Sequence, residues 1–334
     1  MTSLVHSKKK IMAIKDRIVS YLGEKKGDWV SGESLTKKLA VSRSTIGKHI
    51  SQLKSDGYPI ESSPKKGYLL QKTSDVLTPR EIRDGLETKV LGKRDIVYFT
   101  ETDSTNKRAK DLAVRHAPEG ALVLSEKQTE GRGRKARNWF SPSRDGIYLS
   151  LILRPTMPPR EAPKITLLTA VAVAETLLSL TRLKIAIKWP NDILVSGKKL
   201  AGILTEIGAQ GDSIDYIVVG LGLNANTQRF PDDIRDKATS ISIETGKRFS
   251  RVRIIREYLK WYEAYYEVFE KIGFEPVRKR WRELANMIGQ QITVQTIDKK
   301  YSGEVQDIEE DGALIITDRT GNSHRIIFGD VTVI

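Results

Sequence analysis

The segment that most limits what this chain can become is residues 161–180, which hold the longest apolar stretch in the sequence. Pro155, Pro158 and Pro159 break the chain just before it, and a long apolar helix is predicted from there. Thr166, Thr169, Glu175, Thr176 and Ser179 interrupt the apolar run, so the sequence reading leaves it short of a membrane span, and no membrane partner is expected. Around it the periodicity switches to short strands. These are predicted at residues 96–99, at 121–124 and on towards Gln128, at 147–153, 184–188, 193–195, from Lys198 to near Ile207, and at 215–220. Strands that mostly neighbour one another through short turns, with helices packed on one side, point to an α+β mixed sheet rather than a doubly wound one.

Two other patterns flank this block. At the N-terminal end, Ile11, Ile14, Ile18 and Leu22 recur at helical spacing, and Ser31 precedes a short second helix carrying Leu35 and Leu39. Ser42 caps a third helix with Ile46, Ile50 and Leu53 on its inner face, and Gly57 ends it. Residues 58–70 read as a hairpin with Lys65, Lys66 and Gly67 near its tip. Three helices and a hairpin make a winged helix-turn-helix, expected over residues 1–73. In that geometry Ser42, Arg43, Ser44, Thr45 and Lys48 approach bases and backbone in the major groove, while Lys65 and Lys66 reach phosphate. Residues 1–70 hold 14 Lys and Arg against 6 Asp and Glu, so this end carries eight of the chain's net +14 charges. Such units also dock proteins, but a basic helix, cap and wing favour DNA.

A linker through Thr73, Ser74, Thr78 and Pro79 leads to a helix predicted at 79–91 and to a central domain expected over residues 74–286. Val252, Ile255, Leu259, Tyr262, Tyr266 and Phe269 form a helical stripe within it. From 287 to 334, paired apolar bursts separated by Gly303, Gly312, Gly321 and Gly329 predict a small SH3-like β-barrel of about five strands.

The sequence contains no cysteine, which removes disulfides, thiolate metal sites and a thiol nucleophile. His6, His49, His116 and His324 lack metal-ligand spacing, so no protein-held metal is expected. The N-terminus lacks the apolar core of a secretory signal, and a cytoplasmic location is expected.

The chemistry concentrates in Gly131-Arg132-Gly133-Arg134-Lys135-Ala136-Arg137-Asn138-Trp139, a glycine-rich loop with four cationic side chains. Trp139, Phe140 and Pro142 are poor continuations of a helix, which argues against a dinucleotide fingerprint. Read alone, the loop is an anion-binding element or a solvated basic loop.

Further motifs follow in order: Lys188-Trp189-Pro190-Asn191-Asp192, Lys199-Leu200-Ala201-Gly202-Ile203-Leu204 and Gly220-x-Gly222-x-Asn224. With the winged helix and the basic loop, they resemble the bifunctional biotin protein ligase and biotin-operon repressor family over nearly the whole chain. The resemblance implies that biotin and Mg2+-ATP give biotinyl-5′-AMP. The biotinyl group then passes to a lysine of a biotin carboxyl carrier domain. It implies that Lys199 meets the biotin carboxylate and α-phosphate, and that Arg134 guards the adenylate. Ser104, Thr105, Gln128, Gly131 and Arg132 would hold biotin, and Arg137, Trp139 and Asn224 would surround the adenylate. Lys188, Asn191 and Asp192 belong to the block lining the site. An adenylate-bound homodimer on a two-fold operator DNA is also implied. A ligand-sensing transcription factor without ligase activity and a lipoate or octanoate transferase are the competing readings. Ala136 stands where relatives commonly carry glycine; its methyl group is expected to deny the loop positive φ and to alter its mobility and its retention of the adenylate.

Overall fold

The computed structural model describes residues 14–25, 27–55, 58–71 and 75–333. Ile11, Gly57, Thr73, Ser74 and His6, used above as markers, lie outside the described residues. The chain divides into two compact units, Met1–Val76 and Leu77–Ile334.

In the first unit, helices α1 (Ile14–Glu24), α2 (Gly32–Leu39) and α3 (Arg43–Ser55) precede the hairpin β1 (Ile60–Ser63) and β2 (Gly67–Leu70). Ile18, Leu22, Leu35, Leu39, Ile46, Ile50 and Leu53 are buried, so each apolar stripe faces the same small core. Ser31 Oγ accepts from the Ser34 N–H at 3.0 Å and Ser42 Oγ from the Thr45 N–H at 3.1 Å, satisfying helix-end donors. Val30 and Tyr68 exchange two backbone hydrogen bonds of 2.8 Å, which seat the wing on the segment before α2. Only glycine fits at 67: its φ is +96°, and a Cβ would lie 2.1 Å from the Val30 carbonyl oxygen.

The second unit opens with α4 (Pro79–Arg83), shorter than predicted because Asp84 leaves helical geometry and Gly85 turns to a φ of +81°. The chain beyond is held by tertiary contacts instead. The Glu263 carboxylate accepts from the N–H groups of Lys89, Val90 and Leu91 at 2.5, 2.8 and 2.9 Å.

The central sheet contains β3 (Ile96–Phe99), β4 (Leu122–Ser125), β5 (Ile147–Leu153), β6 (Ile185–Lys188), β7 (Asp192–Val195), β8 (Lys198–Gln210) and β9 (Ser213–Leu223). Their order is β3-β4-β5-β9-β8-β7-β6; β3 and β4 run parallel and every other pair antiparallel, giving the expected mixed sheet. The helices are α5 (Thr105–Val114), α6 (Ala162–Leu180), α7 (Ile241–Thr245), α8 (Arg251–Ile272) and α9 (Glu275–Leu284). One expectation needs correction, since helices cover both faces of the sheet. Leu122, Leu124, Ile217, Val219 and Leu221 belong to the core with α6, α8 and α9, whereas Val123, Ile152, Tyr216 and Val218 pack with Ala109 and Ala113 of α5. The two-residue period of the strands sorts these sets to opposite faces. By length and composition Pro159–Leu180 does qualify as a membrane helix, contrary to the sequence reading. Its burial against the sheet, α8 and α9 makes it the central core helix.

The tail forms β10 (Gln291–Gln295), β11 (Lys300–Ile308), β12 (Leu314–Thr317), β13 (Ser323–Ile326) and β14 (Asp330–Val333), antiparallel in the order β13-β12-β11-β10-β14. The five predicted strands are present, and among the described residues β13 and β14 are not paired to close the barrel. Trp189, 2% exposed, donates its indole N–H to the Gly312 carbonyl at 3.1 Å and fastens this sheet to the central one.

Arg251, at the start of α8, donates to Glu126 Oε2 at 2.6 Å and to the Gly146 carbonyl at 3.2 Å. Both charged side chains are 3% exposed. Removing one partner would strand the other charge in the core, so Arg251→Ala is expected to cost about 3–5 kcal/mol. Denaturant unfolding checks this, as a lower midpoint with an unchanged slope.

Candidate active site and DNA-binding surface

A cavity of about 410 Å3 lies over the middle of β8 and β9. Its floor is made of residues without side chains. Gly202 pairs with Gly222 across the two strands, and Gly220 pairs with Leu204. A Cβ at Gly222 would lie 2.4 Å from the Trp139 indole, one at Gly202 2.9 Å from it, and one at Gly220 2.0 Å from Asn106 Oδ1. The glycines therefore create the space in which Trp139 and Asn106 rest.

One wall is the N-terminal end of α5. The Thr105 N–H and hydroxyl both donate to Gln128 Oε1, at 2.8 and 3.1 Å. Ser150 Oγ lies 2.9 Å from Thr105 Oγ1 and 2.6 Å from Asn106 Oδ1, and Asn106 Nδ2 donates to the Leu204 carbonyl and to Glu206. Ser104, at the N-cap, is 2% exposed and makes no side-chain cap bond.

The opposite wall is the basic loop, itself a small hairpin. Trp139 N–H donates to the Gly131 carbonyl at 2.8 Å and Gly133 N–H to the Arg137 carbonyl at 2.7 Å. At its tip Lys135 and Ala136 both adopt left-handed backbone, with φ of 54° and 56°. The expectation that Ala136 would deny the loop positive φ is thus corrected. The tight turn imposes the conformation on a residue with a Cβ, at a cost of roughly 1–2 kcal/mol.

The loop cations are tied to β14. Asp330 Oδ2 accepts from Arg137 at 2.5 Å and pairs with Lys135 at 3.3 Å, and Arg134 donates to the Gly329 carbonyl at 3.1 Å and to Asn191 Oδ1 at 3.3 Å. Burial alone would raise the Asp330 pKa, but Lys135, Arg137 and Arg134 outweigh it and hold the carboxyl below its ordinary value. Burial lowers the Arg134 pKa, partly opposed by Asp330 and Asp192. Lys199, at the start of β8, places Nζ 2.7 Å from Asp192 Oδ1 and 5.4 Å from the Trp139 ring centre. The cavity therefore collects Arg132, Arg134, Arg137 and Lys199 around a neutral hydrogen-bonding recess. That combination suits a substrate with a neutral polar head and an anionic tail.

Of the residues singled out in the sequence, Ser104, Thr105, Gln128, Arg132, Arg134, Arg137, Trp139, Asn191, Asp192, Lys199 and Asn224 line this cavity. Gly131 sits behind them at the loop base. Lys188 is not brought in: it lines a separate depression with Met287 and Val331. Asn224 commits its amide to the Thr239 carbonyl at 3.0 Å. Asn106, Phe230, Lys237 and Asp330 also line the cavity and were missed. Asn106 had a signal, since it stands beside Ser104 and Thr105; the others are brought in from distant segments.

On the first unit, Arg43, Ser44, Lys48 and Lys65 are exposed and Thr45 is half-buried. The Ser42 hydroxyl is engaged in capping, and Lys66 Nζ sits 5.7 Å from the Trp29 ring centre.

A mixed sheet with a glycine floor, a cationic loop and a polar helix end, joined to a winged unit, defines a ligase of the biotin/lipoate type coupled to a helix-turn-helix. Residues 98–224 match the Biotin/lipoate A/B protein ligase family, residues 15–69 an HTH domain, and residues 287–333 the Biotin protein ligase C terminal domain. The Bifunctional ligase/repressor BirA of Bacillus subtilis (strain 168) is 38% identical over 306 residues, covering 91% of this chain and 94% of the relative. That of Escherichia coli (strain K12) is 32% identical over 293 residues, covering 87% and 88%. The biotin protein ligase from Aquifex aeolicus, solved in complex with biotin and ATP, superposes with a TM-score of 0.63 at 27% identity, covering 72% of this chain and 99% of that one. The chain belongs to the bifunctional biotin ligase/repressor family: it is a biotin protein ligase that carries a repressor's helix-turn-helix.

The glycine floor makes a direct prediction. Gly222→Ala drives a methyl group into the Trp139 indole, and overpacking of this kind costs about 1–3 kcal/mol unless the ring leaves. The indole is expected to swing out. A change in tryptophan emission that is absent when Gly222→Ala is combined with Trp139→Phe checks it.

Proposed function

We propose that the cavity takes biotin with its ureido ring against Ser104, Thr105, Gln128, Gly131 and Arg132, and ATP, delivered with Mg2+, against Arg134, Arg137, Trp139 and Asn224. The observation that carries this reading is the Lys199 ammonium, fixed 2.7 Å from Asp192 between the polar recess and the cationic loop. A carboxylate oxygen of biotin forms a bond to the α-phosphorus, the bond to the bridging oxygen breaks, and pyrophosphate leaves. The neutral amine of a carrier-domain lysine then attacks the acyl carbon; AMP departs, the nitrogen loses a proton and an amide remains. Both steps gather negative charge on oxygens, so fixed cations in a partly dry cavity supply the stabilisation. Asp192 and Asn191 support Lys199 and Arg134, while Lys188 takes no direct part.

For the regulatory half, α3 presents Arg43, Ser44, Thr45 and Lys48 to an operator, with Lys65 and Lys66 of the wing at phosphate. The adenylate-bound chain acts there as a homodimer, in the cytoplasm, repressing biotin synthesis or transport genes.

Incubation of the protein with biotin, Mg2+-ATP and an apo carrier domain is expected to add one biotinyl mass to the carrier, with Lys199→Ala slowed on the order of 100-fold. A carrier of unchanged mass with the wild-type protein overturns the ligase reading. Operator binding is expected to lose about one unit of salt dependence for each phosphate contact removed, as in Lys65→Ala, with ligation unaffected. Binding isotherms at several salt concentrations decide this.

A further inference from the structure

We infer that Ser141, outside the cavity lining, is a positioning residue that fixes the hydrogen-bonding polarity of Gln128 and joins the biotin recess to the base of the basic loop. The inference rests on the biotin reading of the cavity.

Ser141 is 6% exposed and sits where three elements meet. Its Oγ accepts from Gln128 Nε2 at 3.0 Å and donates to the Trp139 carbonyl at 3.0 Å. The direction of both bonds is forced, because a carbonyl can only accept and a hydroxyl has one hydrogen. With that hydrogen committed to Trp139, Ser141 can only accept from Gln128. At the other end of the same amide, the Thr105 backbone N–H can only donate, so Oε1 must face it. The two constraints agree, and together they leave the second Nε2 hydrogen as the group that Gln128 can offer a ligand. That is a donor, suited to the carbonyl of a neutral urea.

Gly131 shows how closely the junction is built. A Cβ there would lie 2.6 Å from Ser141 Oγ, 2.6 Å from the Trp139 carbonyl oxygen and 3.1 Å from Gln128 Nε2. The Gly131 carbonyl in turn accepts from the Trp139 N–H at 2.8 Å, so the mouth of the loop hairpin closes on the same point. One buried hydroxyl thus serves a side chain that reads biotin and a backbone carbonyl at the root of the residue that packs on the glycine floor. A residue that only filled space would need no hydroxyl at this position.

The test is a double-mutant cycle on the full chain, with biotin binding measured by calorimetry and KM values measured with the apo carrier. Ser141→Ala is expected to weaken biotin about ten-fold, the size of one buried hydrogen bond, while KM for Mg2+-ATP moves less than about two-fold. In a Gln128→Ala background the same change is expected to add less than about two-fold to the loss of biotin affinity, because the bond to Gln128 is already gone and the one that remains, to the Trp139 carbonyl, does not orient the biotin-reading amide. Ser141→Thr, which keeps the hydroxyl, is expected to restore biotin affinity. If Ser141→Ala unfolds, Ser141→Cys, a weaker donor and acceptor of similar size, takes its place in the cycle. A full ten-fold loss that persists in the Gln128→Ala background overturns the role, as does unchanged biotin affinity in a folded Ser141→Ala protein. Wild-type protein that binds no biotin overturns the reading of the cavity instead, so the two failures are told apart.

Discussion

The Glu126–Arg251 ion pair is the constraint on which the site depends. Glu126 closes the end of β4 two residues before Gln128, and its carboxylate also accepts from the Leu77 N–H at 3.1 Å and from Tyr98 at 3.3 Å. One buried carboxylate therefore fixes the entry to the second unit, the edge strand β3, the exit from β4 and the first turn of α8. Charges this deep are retained at a desolvation cost of several kcal/mol per ion, which the attraction and the hydrogen bonds offset only when the geometry is fully satisfied. The result is a stiff anchor where the chain leaves the sheet and turns towards the cavity that Gln128 lines. Gln128 follows two residues from that anchor, and the basic loop beyond it is held at its far side by Gly329 and Asp330.

What the anchor positions is a cavity built by omission on one side and by charge on the other. Three glycines strip side chains from adjacent strands, and the space goes to Trp139 and Asn106. The loop opposite is short enough to force two left-handed residues at its tip, which holds its cations at fixed angles. Repulsion between Lys135 and Arg137 is relieved by Asp330, which reaches in from β14, while Arg132 pairs with Glu130. Preorganisation of this kind lets charge build up on a substrate without the protein having to rearrange around it.

Much of this was legible in the sequence. The stripes at Ile46, Ile50 and Leu53 and at Val252, Ile255 and Leu259 gave α3 and α8 because helical periodicity is a local property. The bounds of β3 and β5 and the caps at Ser31 and Ser42 followed from equally local signals. The helix predicted to run from 79 to 91 stops at Arg83 because Asp84 leaves helical geometry and Gly85 turns left-handed, and the N–H groups of Lys89, Val90 and Leu91 go instead to Glu263, far along the chain; periodicity cannot report such a partner. The same reason hides Asp330 and the Arg251 anchor, whose partners lie 193 and 125 residues away. Helices on both sheet faces were missed because the alanines of α5 carry a weak apolar signal while closing tightly on the strands. Ala136 was misjudged because residue preference was weighed without the geometry of the turn that overrides it.

The tie between the loop and β14 has a bearing on how the protein is made. Arg134 donates to the carbonyl of Gly329, a residue 195 positions later in the chain. While the chain is being synthesised, the sheet, its glycine floor and the loop can all be complete before the carbonyl and carboxylate that restrain the loop exist. A nascent chain thus lacks the groups that restrain the cationic wall until its β14 segment has been made.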